Sequence, residues 1–87
     1  MKDWRIDNVE NLRGLTLELQ QWQQRSESWD HDHCSACFDK FSTTPDTLKK
    51  GYATRDDFPN GSRYEWVCIP CFTELKDEMG WSAAPLP

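Results

Sequence analysis

"CIPCFTELKDEMGW", Cys68 to Trp81, joins a C-x-x-C pair directly to an amphipathic run, and that junction decides the architecture. Phe72, Leu75 and Met79 fall at helical spacing and Gly80 closes the run, so the second cysteine pair opens a helix. Just upstream, "GYAT" (51–54) and "RYEWVC" (63–68) are β-prone, and the intervening "RDDFPNGS" carries Pro and Asn-Gly turn signals. An irregular hairpin therefore leads into the helix. Asp56 and Asp57 fall in that turn, where paired carboxylates are explained by turn chemistry.

Further upstream, "CSAC" supplies a matching pair, Cys34 and Cys37, with thirty residues between Cys37 and Cys68. A C-x-x-C turn lets two sulfurs face one ion, and two such turns complete the thiolate tetrahedron that Zn²⁺ prefers. The expected ligands are Cys34, Cys37, Cys68 and Cys71. A thioredoxin-like redox pair would need a surrounding βαβ fold, for which 87 residues of this pattern leave no room. Four protein ligands leave no open position for water or substrate, so the metal is expected to be structural. Its binding energy, on the order of 10–16 kcal/mol in small zinc peptides, matches or exceeds the net stability of a small domain.

A ligand-bearing turn, a hairpin, and a second turn continuing into a helix resemble the treble-clef zinc finger, from Cys34 to about Trp81. That resemblance implies an α+β, zinc-stapled architecture with a small antiparallel sheet. It implies no single function, because treble clefs occur in nucleases, RNA-binding proteins, ubiquitin machinery and scaffolds.

Before the first pair, "WDHDHCSAC" (29–37) packs two histidines and two aspartates against the cysteines. Its "DHDH", Asp30 to His33, resembles the catalytic stretch of treble-clef HNH endonucleases. In that family the motif lies between the cysteine pairs, and a residue on the following helix completes the cation site. Here the motif precedes Cys34, and the helix after Cys71 has no His or Asn. His31 and His33 are therefore expected to support the loop or face solvent without catalysis. The alternatives are a histidine that ligates zinc, and a hydrolase using the DHDH residues with a second cation.

Toward the N-terminus, "IDNVENLRG" (6–14) offers Asp7 as N-cap, Glu10 three residues later and Gly14 as a stop, predicting a short helix. "LTLELQQW" (15–22) alternates Leu15, Leu17 and Leu19 with polar residues, and is expected to be a half-buried strand in preference to a helix. "FDKFSTTPDTLKK" (38–50) is expected to be loop with at most a helical turn, and "SAAPLP" (82–87) a frayed tail beyond a single domain of residues 1–81.

The motifs "WRIDN", "LRGL", "WDHDHC-x-x-C", "GYAT" and "YEWVC-x-x-CF" together resemble a set of small bacterial proteins across nearly the whole chain. The resemblance implies a stand-alone zinc-binding protein and no particular activity.

Fifteen acidic against ten basic residues give a formal charge of −5. Sequence-independent nucleic-acid affinity comes from neutralising phosphates, so this balance argues against DNA or RNA as partner. It suits a domain that meets a basic surface on another protein, as inhibitors and immunity proteins do. There is no apolar run of membrane-spanning length and no signal-peptide pattern, so the expected setting is cytoplasmic, where paired cysteines hold metal more often than disulfides. Five tryptophans, Trp4, Trp22, Trp29, Trp66 and Trp81, are divided between core and interface roles, mostly core.

Overall fold

The computed structural model describes residues 3–85. A 3₁₀ helix (Ile6–Leu12) precedes strand β1 (Thr16–Gln21), a small hairpin of β2 (His31–His33) and β3 (Lys40–Ser42), a second hairpin of β4 (Lys50–Ala53) and β5 (Trp66–Cys68), helix α1 (Ile69–Met79), and β6 (Ser82–Ala83). The fold is α+β, and ligand turn, hairpin and helix follow one another in the treble-clef order expected. The main sheet runs β5-β4-β1-β6, antiparallel except for the parallel β1–β6 pair, and β2–β3 forms a separate two-stranded sheet.

The strand expected at Leu15 to Trp22 is present as β1, with Leu17 buried near its start. β4 lies between β1 and β5, where Gly51 faces Cys68 across the ladder. A Cβ at Gly51 would lie 2.7 Å from Cζ of the buried Phe41, so only glycine lets that ring pack against the strand. The long β4–β5 connection is organised by buried Thr54, whose Oγ1 donates to the Gly61 carbonyl and accepts the backbone N–H groups of Tyr64 and Glu65.

α1 packs its Phe72, Leu75 and Met79 face into the core. Phe72 stacks between Tyr52 of β4, at a ring separation of 3.7 Å, and Trp81, at 5.8 Å, which locks the helix onto the sheet. Gly80, at φ +68°, ends the helix in the left-handed conformation, and the N–H groups of Gly80 and Trp81 both point to the Lys76 carbonyl. The Trp81 indole then donates to the Leu12 carbonyl, tying the end of α1 to the N-terminal helix.

Four expectations need correction. Asp7 does not cap the N-terminal helix: the Asp3 carboxylate already accepts the Arg5 backbone N–H, so winding starts earlier, with Arg5 at the cap position. Residues 38–50 are not all loop, because Lys40, Phe41 and Ser42 pair with His33, Asp32 and His31 and bury Phe41. The sheet is not wholly antiparallel, as β6 shows. Nor is the segment after Trp81 frayed where it is described: Ser82 and Ala84 donate to the Leu15 and Leu17 carbonyls, and Ala84 is buried. These backbone bonds complete the free edge of β1, a gain no side-chain pattern in "SAAPLP" announces. Leu86 and Pro87 lie outside the described residues.

Candidate metal centre

The two hairpins deliver the cysteines. Cys34 directly follows β2 and bridges to Trp66 of β5, and Cys37 lies in the turn after it. Cys68 ends β5 and serves as N-cap of α1, while Cys71 sits in that helix's first turn. Their four sulfurs lie within 4.8 Å of one another. Cys37 and Cys68 approach to 3.7 Å, and a tetrahedron with Zn–S bonds of about 2.3 Å sets its sulfurs about 3.8 Å apart. That separation is far beyond the ~2.05 Å of a disulfide, and all four cysteines are free.

The surroundings favour negative sulfur. Backbone N–H groups of Ala36, Cys37 and Cys68 point at Cys34 Sγ from 3.4, 3.5 and 3.3 Å. Arg5 donates to Cys71 Sγ at 3.3 Å and is itself held by Asp3 and Glu74. The N-terminus of the eleven-residue α1 adds its partial positive charge at Cys68 and Cys71. Asn8 donates to the Ala36 carbonyl, fastening the first knuckle to the N-terminal helix.

Without a cation the thiols of Cys34, Cys37 and Cys68 compete. A hydrogen bond from Cys68, together with the N–H donors, lowers the Cys34 thiol to about 5. Burial raises Cys37 to about 12, and Cys68 is also driven up, first by its bond to Cys34 and then by burial. One thiolate thus suppresses its neighbours, and a divalent soft cation held by the four cysteines would relieve that conflict. Donor set, spacing and N–H···S bonds all fit a thiophilic metal. Among the described residues, this is the one group of three or more Cys, His, Asp or Glu side chains arranged to hold an ion.

The DHDH stretch is divided by strand alternation. His31 and His33 lie exposed on one face of β2, their rings 5.0 Å apart, and Asp30 bonds His31 Nδ1 at 2.8 Å. Asp32 projects the other way, where its carboxylate accepts the indole N–H groups of buried Trp22 at 2.8 Å and of Trp29 at 3.1 Å. Trp29 is further covered by the Arg25 guanidinium, 4.8 Å from its ring. The stretch does not bring two histidines and two carboxylates to one point.

No local signal in the sequence marks Arg5, sixty-six positions from the cysteine it bonds. Nor does one mark Phe38, which follows Cys37 at φ +72°, a left-handed conformation that costs a side-chain-bearing residue about 1 kcal/mol. Of the tryptophans, Trp22, Trp66 and Trp81 are buried, Trp29 is half-buried and Trp4 is exposed. No helix among the described residues is long and apolar enough to cross a membrane. No family model matches the chain, and no curated protein or solved structure does either.

Proposed function

We propose that the protein is a non-catalytic zinc-binding module. Cys34, Cys37, Cys68 and Cys71 hold one Zn²⁺ that fixes the fold, and the acidic domain so formed covers a basic surface on another protein, in the manner of an inhibitor or immunity protein. The observation that carries the metal assignment is the four-sulfur cluster, whose closed shell favours a structural ion over a catalytic one. When bound, zinc supplies the cross-link between the first knuckle and the start of α1. The chain's own groups orient the thiolates: N–H donors at Cys34, and Arg5 at Cys71.

Charge supports the partner class. Four thiolates on one divalent ion add −2 to the formal −5, so the loaded domain carries about −7. Complementary charge speeds association and makes it sensitive to ionic strength, while a few desolvated side chains supply lasting affinity. The separation of Asp32 from the two histidines weakens the hydrolase alternative.

The zinc-loaded protein is expected to leave DNA and RNA intact with Mg²⁺, Mn²⁺ or excess Zn²⁺. It is expected to retain a protein partner from native lysate at low salt and release it as salt rises. Metal-dependent cleavage abolished by His31→Ala would replace this function with the hydrolase, and a lysate from which no partner is retained would remove the interaction role.

A further inference from the structure

The two most exposed large apolar side chains among the described residues touch each other beside the cysteine cluster. Trp4 is 61% and Phe38 57% exposed, with ring centroids 6.3 Å apart. Phe38 follows Cys37, and Trp4 precedes Arg5, the residue bonded to Cys71. Two segments distant in sequence thus bring exposed aromatic rings together, each next in the chain to a cysteine of the cluster or to the arginine that bonds one. An aromatic residue at φ +72° is an outlier where glycine would fit without strain, and such strain is retained where a side chain serves a purpose. Phe38 gains little burial in return, so the fold does not explain it.

From this placement we infer that Trp4 and Phe38 form the docking face of the module, and that its occupant is a segment of another protein presenting an apolar side chain flanked by Lys or Arg. The inference rests on the interaction role proposed above and gives it a location. Charge selects the occupant. Asp3 and Asp39 are the chain neighbours of Trp4 and Phe38, Asp3 and Glu74 both engage Arg5 next to Trp4, and a zinc-loaded cluster would add −2. A second copy would bring two such negative faces together, and an anionic membrane would be repelled. A basic segment is attracted, and its arginines can lie over the open faces of Trp4 and Phe38.

The test uses Phe38→Gly in the full, zinc-loaded chain. Glycine suits the backbone at this position, so the variant should keep its zinc, and its Tm should move by no more than about 5 °C. Short random peptides displayed on phage and panned on wild type should be enriched in sequences pairing an aromatic or Leu with Lys or Arg. The best synthetic peptide should bind Phe38→Gly and Trp4→Ser at least about tenfold more weakly, as expected for loss of an interface anchor. No such enrichment, or equal binding by wild type and both variants, overturns the docking face. So does self-association of the wild type, or binding to phosphatidylglycerol vesicles, that Phe38→Gly abolishes. A lysate partner retained equally by wild type and Phe38→Gly overturns the face while leaving the interaction role intact; absence of any partner removes that role itself.

Discussion

Asp32→Ala removes the acceptor shared by two indoles and so tests whether the DHDH stretch is a packing device. Trp22 Nε1 lies 2.8 Å from Oδ2 in a buried setting, and its unpaired N–H should cost about 1–3 kcal/mol. Trp29 is half-buried and can turn to water, so its lost bond adds about 0.5–1 kcal/mol. The expected total is about 1.5–4 kcal/mol, which for a chain of this size lowers Tm by roughly 6–30 °C. Thermal and urea unfolding of the zinc-loaded proteins, followed by tryptophan fluorescence, measure it, with zinc content determined in parallel. Zinc should remain at one per chain, since Asp32 faces away from His31 and His33 and is no part of the sulfur cluster. Combining Asp32→Ala with Trp22→Phe should show coupling of about 1–2 kcal/mol, because each change removes one end of the same bond. A cost within about 0.5 kcal/mol, as for an ordinary surface position, would refute the clamp.

Gly51→Ala should destabilise by about 1–3 kcal/mol in urea unfolding, because the new methyl meets both the Phe41 ring and the Val67 carbonyl. His31→Ala with His33→Ala should keep one zinc and cost no more than about 0.5 kcal/mol, both rings being exposed. Arg5→Met should weaken zinc about 10–100-fold against a competing chelator, since it removes the donor to Cys71. In wild type, hydrogen bonds from Arg5 hold the Asp3 carboxyl at about 2 instead of 3.8, and NMR titration should see it return toward 3.8 in Arg5→Met. Because the folded value lies below the unfolded one, the Asp3 contribution to stability is complete above about pH 4 and fades as pH falls toward 2.

Local signals revealed much of this molecule. The cysteine spacing named all four sulfurs that cluster, because ligand turns are encoded within four residues. Helical spacing from Phe72 to Gly80 and alternation from Leu15 to Leu19 gave α1 and β1, since each buries one face along a continuous stretch. What was hidden depends on partners far away in sequence. Phe41 is buried only because β3 pairs with β2 and Gly51 makes room, and no period in "FDKFSTTPDTLKK" shows either. β6 exists because β1 has an open edge. The division of "DHDH" followed from alternation, yet the decisive fact was which face held Trp22 and Trp29, ten and three residues upstream.

In the proposed module four cysteines hold one zinc on which the fold depends. Elemental analysis of purified protein, paired with Co²⁺ substitution and circular dichroism during chelation, tests it most directly. One zinc per chain is predicted, with the intense visible bands of a tetrahedral tetrathiolate cobalt site and loss of structure as metal is withdrawn. Cys68→Ser should lose both metal and fold. A metal-free Cys68→Ser protein that remains folded with unchanged Tm would contradict the account.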